Sequence, residues 1–384
     1  MRAHYPPVVL SMCAILISVI MVFLSLEIGL RFFPVRSYLP YGAVTIDDPV
    51  VHYQPQQEFV YSTYWNFQDQ NEGMTNAQGY VSDFDYQTED KTPLVAVIGD
   101  SYIEARMVPF QNTVQETLRR GLNGRARVYG FGFSGSPLSQ YLAVARMVRD
   151  AYKPDMMVFN IVSNDFDESF TAYRNIPRFH YFIKDKAGDW YPELIGTYQN
   201  SWIKELVSHS ALVRYIYFHL NISDTINDLL FEWRSLTVSM TTDDTREQLN
   251  VPVKDVPVAD NISADMSPER ISLSREGIDA FLTLLPEMTG LPPAQIILMI
   301  DGQRYDIYTG TEGSEEFFGV MRSYLMKQAL ARSYQVVDMH DVFAKDYARH
   351  QKKFEFEQDG HWNAYAHGLA GQALLDQTTL KNRY

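Results

Sequence analysis

The chain has 384 residues, 46% hydrophobic and 14% aromatic, which is apolar material enough for one large core or two smaller ones. A net charge of -14, with no clustered run of Lys and Arg, excludes recognition of a phosphate backbone, so no nucleic-acid partner is expected. The single cysteine, Cys13, excludes an intramolecular disulfide, and no Cys/His cluster has metal-ligand spacing, so neither metal nor cofactor is expected.

Val8 to Leu26 carries no charge and is rich in Val, Ile, Leu, Met and Phe, matching the roughly 20 residues that cross a bilayer. The run is longer than the apolar core of a usual signal peptide, and no small-x-small cleavage site follows it. It therefore reads as an uncleaved anchor, residues 1–34, closing at Leu30-Arg31-Phe32-Phe33-Pro34. Arg2 precedes the span while Arg31 and Arg36 follow it, so basic residues do not set its orientation. Residues 35–92 form a Tyr-, Gln-, Asn- and Asp-rich lead-in of strands and loops without a convincing helix.

The remaining residues, 93–384, read as the main domain. Leu94 to Gly99 is a short continuous apolar run between turn residues, as in a strand buried on both faces. Val114, Leu118 and Leu122 share one face of a helix over 113–122, and Ala126 to Phe131 is the next strand. A helix from Leu138 to Tyr152 stops at Lys153-Pro154-Asp155, and Met156 to Val162 is a third buried strand. The alternation predicts a parallel sheet covered by helices. It lapses over about 167–290, read as a mostly helical and irregular insertion with one helix from Trp202 to Leu220 and a polar stretch at 241–260. Strands resume at Gln295 to Ile300 and Tyr334 to Asp338, around a helix from Glu315 to Ala331, and a last helix runs from Asn363 to Leu375.

Four short polar segments end these strands or loops. Gly99-Asp100-Ser101 closes the first strand, at the edge where open α/β sheets bind ligands. Gly132-Phe133-Ser134-Gly135 follows the second strand, Ser163-Asn164-Asp165 the third, and Asp359-Gly360-His361-Trp362 lies near the chain end. Serine is a weak nucleophile and needs a base within hydrogen-bonding reach, which an imidazole supplies near neutral pH. Ser101 is accordingly the candidate nucleophile, His361 the base and Asp359 the carboxylate that orients it. The backbone N–H groups of Ser101 and Gly135 and the amide of Asn164 are candidate donors to a developing oxyanion. Ser134 lacks a Gly-x-Ser-x-Gly elbow and reads as a turn residue; Asp100 and Asp165 read as loop-stabilising carboxylates. His367 reads as a buried or capping histidine. Phe170, Tyr173, Phe179, Tyr181, Phe182, Trp190 and Tyr191 are either insertion core or a sugar-stacking wall, with core preferred. Asn221-Ile222-Ser223 and Asn261-Ile262-Ser263 fit a glycosylation sequon without weight.

These blocks resemble, in order, those of the SGNH (GDSL) hydrolase superfamily, over about Leu94 to Leu375 with the insertion unmatched. Thr75-Asn76-x-x-Gly79-Tyr80 and the Glu27-to-Arg31 pattern at the anchor's end are similar to those of its membrane-anchored bacterial members. Two departures stand out: Ser163 replaces the usual glycine, and Gln358 holds the usual acid position, with Asp359 one residue nearer the histidine. That shortened spacing is similar to the alginate-type O-acetyltransferase branch. The resemblance implies a flavodoxin-like three-layer α/β/α fold and a single-pass bacterial inner-membrane protein with its catalytic domain in the periplasm or outside the cell. It implies a serine esterase acting through an acyl-serine on an O-acylated extracytoplasmic glycan. An O-acetyltransferase modifying an exopolysaccharide or cell-wall sugar, and an inactive glycan-binding or assembly protein, are the alternatives. No substrate-binding residue is legible.

Overall fold

The computed structural model describes residues 7–220, 266–311 and 316–384, so the polar stretch at 241–260 and both sequons lie outside the described residues. The chain groups into two compact units, one of residues 1–38, 59–72 and 201–255, the other of 39–58, 73–200 and 256–384. This cuts across the linear order read from the sequence. The lead-in contributes to both units, and part of the expected insertion joins the unit of the N-terminal apolar helix.

In the first unit, helix α1 (Pro7–Leu30) is apolar from Val8 to Leu26 and exposed along that whole stretch, with Glu27 the one charged residue before its end. That stretch is long and apolar enough to cross a membrane or to serve as a signal sequence. Strands β1 (Glu58–Thr63) and β2 (Gln68–Met74) pair in a two-stranded sheet. The single helix expected from Trp202 to Leu220 is instead two, the second starting afresh after a break at His209-Ser210, because Ser210 accepts a hydrogen bond from Val213 N–H as its N-cap.

The second unit is built on five parallel strands: β3 (Leu94–Gly99), β4 (Arg127–Gly132), β5 (Met156–Ile161), β8 (Ile296–Ile300) and β9 (Gln335–Asp338). Their order is β4-β3-β5-β8-β9, the doubly wound flavodoxin-like arrangement. Between them, β6 (His180–Lys184) and β7 (Trp190–Leu194) form a separate antiparallel hairpin. After β3 comes the turn α2 (Ser101–Glu104), then α3 (Val114–Leu122), and α4 (Leu138–Tyr152) joins β4 to β5. Numbering onward, α5 (Trp202–Ser208) and α6 (Ala211–His219) belong to the first unit. In the second, α7 (Pro268–Thr289), α8 (Arg304–Thr309), α9 (Phe317–Ala331), α10 (Met339–His350) and α11 (Ala364–Gln377) complete the helices used below.

Alternate residues of each buried strand face two cores. Ile98, Phe159 and Leu298 pack with Leu142 of α4, Phe281 of α7 and Leu325 of α9. Val97, Val158 and Met299 pack with Leu118 of α3, Phe343 of α10 and Ala370 of α11. Helix α7 is the covering helix of the β5-to-β8 crossover, so regular structure resumes at Pro268 rather than after Gly290. Its apolar face was hidden in the sequence by Arg270, Ser274 and Gly277 among its buried positions. Within the same stretch, Phe170, Phe179, Tyr181 and Phe182 are buried and make core, while Tyr173 stays exposed.

Candidate active site

Register assembles the site. Gly99 pairs with Gly132 across β3 and β4, and Ile161 with Ile300 across β5 and β8, so the loops after all four strands leave at one rim. Phe133 N–H donates to Gly99 O at 3.2 Å and Asp301 N–H to Ile161 O at 2.9 Å, carrying the ladder one residue further. Gly132 has to be glycine, since a Cβ there would stand 2.1 Å from the backbone nitrogen of Glu104.

Ser101 opens α2, whose N-cap Asp100 accepts from Tyr102 N–H at 3.0 Å. His361 Nε2 lies 2.8 Å from Ser101 Oγ across 260 residues of sequence. Asp359 Oδ1 stands 2.5 Å from His361 Nδ1 and also accepts the His361 backbone N–H at 3.1 Å. Two residues therefore suffice for the acid to reach the ring: the carboxylate closes an Asx-type turn on the backbone of the histidine it orients. With Asp359 accepting at Nδ1, Nε2 is left to accept the Ser101 hydroxyl proton.

The loop between acid and base is clamped by Arg304, Tyr102 and Asp301, none of them singled out in the sequence. Arg304 Nη1 donates to Gly360 O at 2.6 Å, and its other Nη donates to Tyr102 Oη at 2.8 Å and to Asp301 at 3.2 Å. Tyr102 Oη donates to the same Gly360 carbonyl at 3.0 Å, and the buried Trp362 donates from its indole to Asp301 at 2.9 Å. Asp301 follows β8 as Asp100 follows β3, which was the one available signal.

On the other side of the rim, Gly135 has φ +74, and a Cβ there would stand 2.4 Å from the Arg174 guanidinium. Arg174 donates to Gly135 O at 2.5 Å and pairs with Glu168 at 2.6 Å. Glu168 in turn accepts from the Asn164 amide at 3.4 Å, so one ion pair links the two candidate oxyanion residues. Ser134 donates to Glu104 from its hydroxyl, and Tyr53 donates to the same carboxylate, which Arg106 pairs at 3.1 Å. This gives Ser134 a partner in the loop rather than the base. Tyr53 is itself held by its backbone N–H donating to Gly79 O at 3.0 Å, so the Thr75-to-Tyr80 segment supports the glycine loop through Glu104.

Asp165 is buried under Tyr141, whose hydroxyl donates to both carboxylate oxygens, and it accepts Val162 N–H at 2.8 Å. Burial, with nearby Asp100 adding to it, holds the Asp165 carboxyl well above the usual carboxylate range. Burial pushes Asp100 up to about 6. His367 accepts from Val114 N–H at 3.3 Å and burial drives it down to about 3, so it caps α3 as a neutral ring. Asp167, just past Asn164, is paired with Arg270 of α7 at 2.7 Å, both side chains 1% exposed. A cavity of about 480 Å³ lined by Val50, Met147, His180 and Tyr191, among others, contains no residue of the Ser101–His361–Asp359 set. Among the described residues, no group of His, Cys, Asp and Glu is arranged to hold a metal ion.

No protein-family model matches the chain, and no curated protein matches it. Among solved structures, LAE5, an α/β hydrolase enzyme from the metagenome of Lake Arreo, Spain, is 14% identical at a TM-score of 0.38, over 75% of this chain and 95% of its own. The acetyl xylan esterase AlAXEase is 10% identical at 0.35, over 73% and 97%. A two-domain esterase, CEX, active on acetylated mannans, is 9% identical at 0.35, over 76% and 49%. Likenesses at this level carry no functional weight. The fold and site themselves define a class: an α/β/α domain with serine, histidine and aspartate in one hydrogen-bonded chain at the carboxyl edge of a parallel sheet.

Proposed function

We propose that the chain is a membrane-anchored serine esterase of SGNH type that works through an acyl-Ser101 intermediate. The observation that carries this reading is the continuous path from Asp359 through His361 to the Ser101 hydroxyl. Ser101 Oγ attacks the ester carbonyl carbon while His361 Nε2 takes its proton, and Asp359 stabilises the imidazolium. Charge gathers on the carbonyl oxygen, which the N–H groups of Ser101 and Gly135 and the amide of Asn164 stabilise. The tetrahedral intermediate collapses, the C–O bond to the alcohol breaks, and His361 returns the proton to the leaving oxygen. Water then attacks the acyl carbon, giving its proton to His361. The carboxylic acid departs as Ser101 regains a proton.

The substrate class we assign is an O-acylated glycan outside the cytoplasm, with α1 as a retained anchor. Retention is supported by Glu27 in the last turn of α1. It accepts from Ser210 Oγ at 2.7 Å and from the N–H groups of Ala211 and Leu212 at 3.1 and 2.9 Å. A removed leader would strip α6 of that cap.

The test is to give the purified full chain a chromogenic acetyl ester, with and without a sugar acceptor. Free acetate that disappears in Ser101→Ala, a loss of at least ~10⁴-fold, is the expected result. Acetylated sugar as the main product would make it a transferase. A folded protein that neither releases acetate nor reacts at Ser101 with a fluorophosphonate would leave the enzymatic reading without support.

A further inference from the structure

Helices α5 and α6 present apolar stripes to solvent, not to a core. On α5, Trp202 and Leu206 stand four apart and are 71% and 67% exposed. On α6, Val213 and Tyr217 repeat that spacing, and Leu220 follows at the next turn, all exposed. Phe32 and Trp65, in the same unit, are likewise exposed. The inner face of α6 is fully occupied. Ala211 is buried, Arg214 donates to Val35 O and Arg36 O at 3.4 and 3.3 Å, and His219 accepts from Arg36 N–H at 3.1 Å.

These contacts fix α6 to the chain on either side of the end of α1. Glu27, which caps α6, lies about 5 Å along the axis from Leu30, the last residue of α1. Whatever solvent surrounds that last turn therefore also reaches the start of α6. Large apolar side chains at helical spacing, with tryptophan and tyrosine among them, suit the boundary between headgroups and acyl chains.

We infer that α5 and α6, with Phe32 and Trp65, form a platform that lies in the bilayer interface beside the end of α1. The inference rests on reading α1 as a retained membrane helix, and its occupant is the lipid of that same bilayer. Such a platform fixes the tilt and rotation of the anchor, which a lone span would leave free.

The experiment uses the full chain in phosphatidylcholine vesicles with an environment-sensitive fluorophore on single cysteines. The native Cys13 reports α1 alone, and Leu206→Cys and Tyr217→Cys in a Cys13→Ser background report the platform. Lys352→Cys in the same background gives the water-exposed reference, and unchanged thermal unfolding shows that each variant folds. The expected result is that the Cys13 probe loses most of its emission to lipids spin-labelled deep in the acyl chain. The probes at 206 and 217 lose most of theirs to lipids labelled near the headgroup, with blue-shifted emission relative to 352. If Cys13 is quenched while 206 and 217 behave like 352, the anchor stands and the platform is overturned. Shielding of 206 and 217 in native membranes but not in pure lipid would assign the stripe to a protein and overturn the lipid assignment. An unquenched Cys13 would remove the anchor and the platform with it.

Discussion

On one side of the rim, the proposed reacting groups touch each other: Asp359 bonds to His361 and His361 to Ser101 with no intermediary. On the other, Asn164 and Gly135 meet only through the Glu168–Arg174 pair, and their loops are braced by two further charged groups, Glu104 and Arg270. The proposed nucleophile and base are thus each held by a local turn and joined by one direct hydrogen bond across 260 residues of sequence. The proposed oxyanion side depends on ion pairs, the local Glu168–Arg174 and the long-range Asp167–Arg270, whose geometry is tightened by burial.

The sharpest way to break the second arrangement is to remove one member of its buried pair. Arg270→Met leaves the Asp167 carboxylate without its cation, in a place where both groups are nearly inaccessible, and is expected to cost about 3–5 kcal/mol of stability by urea denaturation. Adding Asp167→Leu should recover most of that loss, because an apolar pair of similar volume no longer leaves a charge stranded. A single variant as stable as the parent would show that the pair does not brace the loop.

Asn164→Ala tests the donor itself. Turnover of an ester should fall ~100- to 1,000-fold with KM nearly unchanged, since the amide is needed when charge develops on the oxygen. A change confined to KM would move Asn164 out of the oxyanion site and into ground-state binding.

Arg304→Ala asks the same of the first side. The Gly360 carbonyl would lose its guanidinium donor while Tyr102 keeps its bond, so the Asp359–His361 loop should loosen rather than collapse. A drop in kcat of roughly 10- to 100-fold, with KM retained and the unfolding midpoint little changed, is expected from displacement of the base. Equal losses of stability and activity would make the role purely structural.

The smallest effect concerns Asp100. Its carboxyl is raised to about 6 by burial, so the fold favours the protonated form. That contribution to stability is complete below the ordinary carboxylate value and is lost as pH rises through about 6. Asp100→Asn has no such loss, so its stability relative to the parent should improve by about 2 kcal/mol between pH 4 and pH 8. A difference that stays flat with pH would mean that Asp100 is ionised in the fold without penalty.

Much of the first side was legible in the sequence. Ser101 ends an apolar run, and Asp359 lies two residues from His361, so short-range pattern carries both. Buried strands also announce themselves, because residues covered on both faces must be apolar whatever their neighbours. The clamp was not legible: nothing near Arg304 or Tyr102 in sequence marks a partner at Gly360. The long helix α7 was missed for a related reason, since its buried Arg270 masks the apolar face that periodicity would reveal. The helix expected from Trp202 to Leu220 was misjudged because Ser210 looks like any mid-helix serine until Glu27, in the last turn of α1, is seen capping α6.

By itself the amino-acid sequence determined the five strands of the parallel sheet, the order of the four polar blocks, the apolar span and the residue types able to move a proton to and from a serine. These are properties of short windows, where hydrophobic period and turn chemistry act over a few residues. Only the tertiary structure decided which charged side chains face one another across the rim, how the irregular stretch divides, and which apolar stripes remain uncovered. Pairing energy between distant side chains depends on separation and burial, and both come into being only when the chain has folded.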